Sequence, residues 1–285
     1  MIGRARNGGA ALLLVMWLIA LLAALIGAFA LTARIERLQE RVLSQGAVAS
    51  EAARAGLEMA LVRLDDPDPR RHWVADGRLY HWHYAGMPVD VRVVDEQGKV
   101  DINAAAPGLL AGLFRAVAVP ADQATRLASA MVDWRDADQL TQPQGGAEDP
   151  EYASAGLPYG AKDAPFETVA EAEQVLGMTP AIYARVAPYL TVFTGNGTPN
   201  TAFAAGPVLT AMGLDGSALV SAREAQRPAA GGVVAGNGGT YSIQSMARLQ
   251  KGRTAAITGV VRSGGNGTPG SAYTALDWTE GATAR

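Results

Sequence analysis

Residues 10–31 read AALLLVMWLIALLAALIGAFAL, an apolar run of 22 positions without a charge. At about 1.5 Å per residue the run makes a helix of roughly 33 Å, enough to cross a hydrocarbon core of about 30 Å. The preceding segment, residues 1–9, carries Arg4 and Arg6, has no acid and ends in Gly8-Gly9. Positive flanks stay cytoplasmic, so the bulk of the chain is expected across the membrane.

The helical pattern does not stop at residue 31. Arg34, Glu36, Arg37, Glu40 and Arg41 alternate with Ile35, Leu38 and Val42 at helical spacing. Good helix formers continue through Ala52, Ala53, Leu57, Ala60, Leu61 and Leu64, with no proline before Pro67. One continuous helix over 10–64 is predicted. Ala28-Phe29-Ala30 has the small-x-small form of a signal cleavage site, although a signal's apolar core is usually only about 7–15 residues. On these residues alone a cleaved signal and a plain anchor both remain open.

The 285 residues suffice for a membrane segment and two modest domains. A net charge of −3 gives no global basic field for nucleic acid. Cysteine is absent, so an exported chain relies on core packing, metal or partners instead of disulfides.

Beyond Pro67 and Pro69 the period changes. Residues 80–84 (YHWHY) and 89–94 (VDVRVV) are aromatic or β-branched, the second with period-two alternation, and 99–102 reads as a third short strand. From 103 to about 227 the pattern is one of short helices. Leu109, Leu110, Leu113 and Phe114 form one apolar face, and Ala124, Leu127, Ala128, Met131 and Val132 another. Residues 136–163 read as a long loop, uncommon in a compact domain unless something ties it down. Helices resume over 168–176, 180–190, 208–212 and 216–226. A weak internal repeat relates 101–105 with Leu109-Leu110 to 200–202 with Val208-Leu209, and the helix–turn–helix units resemble helix-hairpin-helix modules. After a glycine-rich stretch, 231–239, three strands are expected over 241–249, 255–262 and 273–278. Three strands before and three after the helices are each marginal alone, which favours one shared sheet. The predicted fold is α+β: a long N-terminal helix packed on an antiparallel sheet, with a large all-α domain inserted between its strands. The boundaries are 1–9 leader, 10–64 helix (membrane span 10–31), 65–102 first part of the sheet, 103–230 helical insertion, and 231–285 second part of the sheet.

The acidic loop holds the most chemistry. Asp133, Asp136 and Asp138 cluster at its start, Glu148, Asp149 and Glu151 lie across it, and Asp163 stands near its end. Calcium takes six to eight oxygens from carboxylates and carbonyls on a pliable loop. The spacing lacks the glycine and the terminal glutamate of an EF-hand, so a solvated acidic loop is the competing reading. His81 and His83 are two apart, so on a strand they share a face and offer two metal ligands. No third ligand is evident nearby, and Trp82 and Tyr84 suit ordinary strand packing. There is no G-x-S-x-G, no H-E-x-x-H and no cysteine nucleophile. Glu167, Glu171 and Glu173 read as surface charge near a helix start. Residues 101–227 carry seven basic and fourteen acidic side chains, a net of −7 that repels phosphate.

Taken together, residues 9–17 (GAALLLVMW), Lys99-Val100-Asp101-Ile102-Asn103, 132–138 (VDWRDAD), 146–149 (GAED) through Tyr152, Pro158-Tyr159 with Ala161-Lys162, Pro165-Phe166 followed by 176–180 (LGMTP), Tyr241-Ser242-Ile243 and Val260-Val261-Arg262 resemble the type II secretion system minor pseudopilin K family. The resemblance covers nearly the whole chain. It implies a non-enzymatic subunit at the tip of the pseudopilus that initiates its assembly for protein export across the outer membrane. It also implies a leader cut by prepilin peptidase after Gly9, leaving Ala10 as an N-methylated terminus, with the doubled Gly8-Gly9 allowing a cut one residue earlier.

At the fifth mature position most pilins have a glutamate, and this chain has Leu14. A carboxylate in lipid is tolerated only with a partner, and a subunit with none above it needs no such group, which agrees with a tip position. The family further implies calcium in the inserted domain, for which Asp133, Asp136, Asp138, Glu148 and Asp149 are the candidate ligands. The implied partners are minor pseudopilins I and J in a ternary tip complex, pseudopilins H and G, the inner-membrane secretion platform and, at the tip, secreted substrate, with no nucleic acid. The implied location is the bacterial inner membrane, single-pass, with the N-terminus cytoplasmic and the soluble part periplasmic, moving into the pseudopilus. The alternative is a membrane-anchored helix-hairpin-helix protein that binds nucleic acid in DNA uptake.

Overall fold

In the computed structural model the described residues are 8–225, 239–249, 254–264 and 273–283. The first seven positions of the expected leader and most of the glycine-rich stretch 231–239 lie outside them. One helix, α1 (Gly8–Leu64), runs through the whole predicted span. Its Leu12–Arg34 segment is long and apolar enough to cross a membrane and is 0% buried within the protein. Farther along, Ala49, Ala52, Ala53, Leu57, Ala60, Leu61 and Leu64 return every three or four residues and are buried. That spacing gives the helix one apolar stripe, which it lays against a sheet.

The sheet contains β1 (Asp76–Tyr84), β2 (Met87–Asp95), β5 (Thr240–Arg248), β6 (Thr254–Ser263) and β7 (Tyr273–Thr283), antiparallel throughout, in the order β1-β2-β5-β6-β7. Its α1 face carries Val89, Val91 and Val93 from β2, Tyr241, Ile243 and Ala247 from β5, and Ala255, Ile257 and Val261 from β6. Period-two alternation therefore survives in the fold as one buried and one open face. Helix and sheet approach closely at Gly56. A Cβ built there would lie 2.3 Å from Ser245 Oγ and 2.8 Å from Val89 Cγ1, so no larger residue fits without displacement. The β1–β2 hairpin turns through Ala85 and Gly86, both at positive φ (48° and 80°), the backbone a two-residue hairpin requires.

Between β2 and β5 the chain builds a second core from helices α2 (Pro107–Ala116), α3 (Ala121–Arg135), α4 (Asp149–Ser154), α5 (Pro180–Val186), α6 (Gly206–Ala211) and α7 (Gly216–Ala225). Leu110, Leu113, Phe114, Leu127, Met131, Trp134, Tyr152, Ile182 and Leu209 are among its buried residues. The expected helix over 168–176 is a 3-10 turn, Val169–Gln174, and the segment 180–190 ends as a helix at Val186.

The third expected strand departs from the prediction. β3 is only Val100–Asp101 and pairs in parallel with β4 (Leu190–Thr191), apart from the main sheet. The reason is packing: Val100 and Ile102 are buried in the helical core with Leu190. Asp101 then fixes the ladder's far end. Its Oδ2 accepts bonds from Thr194 N, Thr194 Oγ1 and Gly195 N at 2.7–3.0 Å. The sequence repeat has a structural echo. Arg135 donates to Ile102 O and Ala105 O, and Arg223 donates to Ala202 O and Ala204 O. In both halves an arginine from the second helix holds the turn that leads into the first. The two halves meet where α2 packs on α6.

Candidate metal centre and related proteins

The acidic loop is not structureless. It leaves α3 at Asp136, which caps that helix, and passes through α4 on its way to the 3-10 turn. Asp133 lies in the last turn of α3 and is 0% exposed. Its carboxylate accepts from Gln142 N at 3.3 and 3.2 Å, which folds the first part of the loop back over the helix end. Glu148 stands at the N-cap of α4 and is 3% exposed. Its own N–H donates to Glu151 Oε2 at 2.9 Å. Across the loop, Asn103 clamps Phe166 in both directions, donating to its carbonyl at 2.9 Å and accepting from its N–H at 2.7 Å. That clamp sits three residues from Asp163.

One carboxylate oxygen from each of Asp133, Asp136 and Glu148 lies within 4.8 Å of the others. Asp136 Oδ1, Glu148 Oε1 and Asp163 Oδ1 are buried and have no hydrogen-bond partner among the described residues. Burial pushes the Glu148 carboxyl up to about 7, reinforced by the charges of Asp133, Asp163, Asp136 and Asp138. Asp133 is raised chiefly by burial, against the lowering bonds from the Gln142 and Ala147 N–H groups. Asp136 is raised by burial and then by Asp138, with Arg135 opposing. Two of these acids also occupy the C-terminal end of a 15-residue helix, where the macrodipole disfavours negative charge. Clustered, partly desolvated carboxylates of this kind are stable only when protonated or when a cation sits among them.

Of the five ligands expected from the sequence, the fold brings Asp133, Asp136 and Glu148 together. Asp138 is exposed, and its Oδ1 accepts from Leu140 N at 2.9 Å. Asp149 is exposed, and its carboxylate lies over Gly160, where a Cβ would be 1.6 Å from Asp149 Oδ1. Asp163, not among the five, turns its buried Oδ1 inward from a left-handed backbone at φ 54°. Asp tolerates that conformation better than most residues, yet nothing in its spacing from Asp133 marks it as a partner. Gly146 is the other residue missed. A Cβ there would lie 1.9 Å from Asp133 Oδ2, so only glycine leaves room for that carboxylate.

The aromatic wall beside the cluster is Trp134, Tyr152, Tyr159 and Phe166, with centroid separations of 5.7–6.1 Å. Tyr152 is fully buried and its Oη accepts from Leu176 N at 3.0 Å. Lys162 pairs with Glu171 at 2.7 Å, and Glu171 Oε1 accepts from Glu167 N and Thr168 N, so this glutamate organises the entry to the 3-10 turn. Gly9 and Ala10 lie in the first turn of α1, and Leu14 is 71% exposed within the apolar span.

Comparison with known proteins gives three concordant matches. Residues 90–195 match the family model described as type II secretion system (T2SS), protein K. That interval contains Asp133, Asp136, Glu148 and Asp163. The type II secretion system protein K of Pseudomonas aeruginosa is 29% identical over 144 residues, which is 45% of this chain and 40% of that protein, so the chain aligns with less than half the length of this relative. A chain in the crystal structure of the GspK-GspI-GspJ complex from the enterotoxigenic Escherichia coli type 2 secretion system superposes with a TM-score of 0.59 at 17% identity. That superposition covers 86% of this chain and 98% of the other, a likeness of fold. None of these matches favours the nucleic-acid-binding alternative. The helix, the sheet and the helical block with its acidic cluster thus belong to a chain whose residues 90–195 are similar to the type II secretion system protein K family.

Proposed function

We propose that the chain is a non-enzymatic minor pseudopilin, forming the tip of the type II secretion pseudopilus with minor pseudopilins I and J and initiating its assembly. The observation that carries this reading is the family match over residues 90–195, which starts in the sheet and runs through the acidic cluster. Three features support it. The apolar Leu12–Arg34 segment continues without a break into the helix that packs on the sheet. A helical block of this bulk would obstruct packing along a filament shaft and is tolerated at its end. Leu14 places no charge in the span, so the helix needs no neighbour to neutralise it there. In this reading the chain is cut after Gly9, starts at Ala10, and is held in the inner membrane with its folded part in the periplasm.

The acidic cluster takes a structural Ca2+. An ion with oxygens at about 2.4 Å spans up to about 4.8 Å between ligands, the separation found for Asp133, Asp136 and Glu148. The donors are all oxygen, the set that hard cations prefer. Asp163 supplies a fourth carboxylate. Bound there, calcium ties both ends of the 136–163 segment to α3 and removes the charge repulsion inside it.

Co-expression with minor pseudopilins I and J of the same secretion system tests the assignment. A complex of one copy each, extracted from membranes and sized by light scattering, is the expected result. Failure of the three to co-purify, or recovery of the mature chain free in the periplasm, overturns it. Intact-mass analysis should place the mature N-terminus at Ala10.

A further inference from the structure

The open face of the sheet carries a second set of ligands whose chemistry differs from that of the acidic cluster. In the β1–β2 ladder Tyr80 pairs with Val91 and Trp82 with Val89, while His81 pairs with Asp90 and His83 with Pro88. Val89 and Val91 face α1, and Tyr80 and Trp82 pack against the same core. Strand alternation therefore sends His81 and His83 to the opposite face, where both are exposed. Two strand residues separate their Cα atoms by roughly 7 Å. Imidazoles side by side at that spacing reach a single ion at about 2.0–2.1 Å from each nitrogen.

The fold adds what the spacing alone lacked. His81 Nδ1 lies 2.7 Å from Asp90 Oδ1. Asp90 is 8% exposed, and its Oδ2 accepts from Arg248 Nε at 2.8 Å and from Arg248 Nη2. The Asp90 carboxylate and the Arg248 guanidinium form an ion pair. An ionised carboxylate only accepts, so His81 Nδ1 is the donor. In the neutral ring the lone pair is then on Nε2, which points away from Asp90, and 69% of the side chain is exposed. A carboxylate fixing the tautomer and direction of a histidine is the usual outer-shell support of a metal-binding imidazole. Arg248 in turn fixes the carboxylate.

We propose that His81 and His83 chelate one divalent cation of the imidazole-binding class, such as Zn2+, on the open face of the sheet, with Asp90 as the positioning residue and water completing the coordination. The site is independent of the calcium reading. Its nitrogen donors suit borderline transition cations, whereas the oxygen donors of the acidic cluster suit hard ones.

The test is calorimetric titration of Zn2+ into the full chain in detergent, with Ca2+ held in excess so that the acidic cluster is not titrated. The chain has three histidines and no cysteine, and the third, His72, places its Nδ1 3.2 Å from Asp66 O. One equivalent of Zn2+ should bind. His81→Ala and His83→Ala should each weaken binding at least about ten-fold, and Asp90→Asn by about 10–100-fold. His72→Ala should leave it unchanged. His83→Ala alters an exposed side chain, so its fold should survive, and equal melting temperatures without Zn2+ verify that. Absence of Zn2+ binding by the wild type overturns the proposal, as does full affinity in His83→Ala.

Discussion

Replacing Glu148 by glutamine keeps the shape of a buried side chain and removes its charge, and the structure assigns two opposite consequences. Without a cation the carboxyl is shifted from 4.5 to about 7 by burial and by the surrounding acids. The folded state therefore holds a proton that the unfolded chain has released, and stability falls as pH rises from about 4.5 through about 7. At about 1.36 kcal/mol per pH unit the rise from 4.5 to about 7 makes the full penalty at pH 8 about 3.4 kcal/mol, reduced by any water that reaches the site. Glutamine escapes this penalty and can donate its amide hydrogens to Asp133 or Asp136. In chelator at pH 8 the variant should therefore melt several degrees above wild type, at about 2–4 °C per kcal/mol for a domain of this size. With Ca2+ at about a hundred times its dissociation constant, wild type should gain about 2.7 kcal/mol. The variant, lacking one ligand, should gain less than about 1 kcal/mol. Thermal melting of the full chain in detergent, in chelator and in calcium, at pH 5 and pH 8, measures all of these quantities. A variant that melts below wild type by the same amount in both conditions would refute the argument, because Glu148 would then be an ordinary structural group.

Gly146→Ala drives a Cβ to within 1.9 Å of Asp133 Oδ2 and 2.8 Å of Gln142 N. It should cost about 1–3 kcal/mol and weaken calcium binding at least about ten-fold in a competition titration against a chelating dye. Ser245→Ala removes a hydroxyl that is 0% exposed and has no hydrogen-bond partner among the described residues. It should stabilise the fold by about 1 kcal/mol in chemical denaturation and reduce the destabilisation caused by Gly56→Ala, since Ser245 Oγ is the atom that a Cβ at Gly56 meets first. Asp95 is 2% exposed and its carboxyl is pushed up to about 6, first by burial and further by Glu96, against the bond from Gln97 N. Stability should fall between about pH 4 and pH 6 on its account. Asp95→Asn keeps an acceptor for Gln97 N and should flatten that slope, gaining about 1–2 kcal/mol at pH 7.5 in denaturant melts.

Much of the fold was legible because local period reports burial. The stripe from Ala49 to Leu64 and the alternation of Val89, Val91 and Val93 each recur at the period of their own element. A single helix–sheet core follows from two such faces. The short strand at Val100–Asp101 was misassigned to the main sheet because two residues carry no period, and its partner, Leu190–Thr191, is distant in sequence. Of the acidic residues, Asp133 and Asp136 share the end of one helix, and spacing brings them together. Glu148 and Asp163 reach them only through the path of a long segment, governed by the Asn103–Phe166 clamp and the bonds from Gln142 to Asp133. Asp138 and Asp149 have the same composition signal and point elsewhere.

The sequence by itself determined the membrane-length helix, its continuation into the folded part, and the α+β class. These depend on apolar length and on near-neighbour periodicity, both properties of the chain read in order. Only the tertiary structure decided which three carboxylates converge, that Asp163 joins them in burial, and that Asp90 aims His81 outward. Such groupings depend on distances across 10 to 30 sequence positions or between strands. Those distances are set by how two cores pack, and no local pattern encodes them.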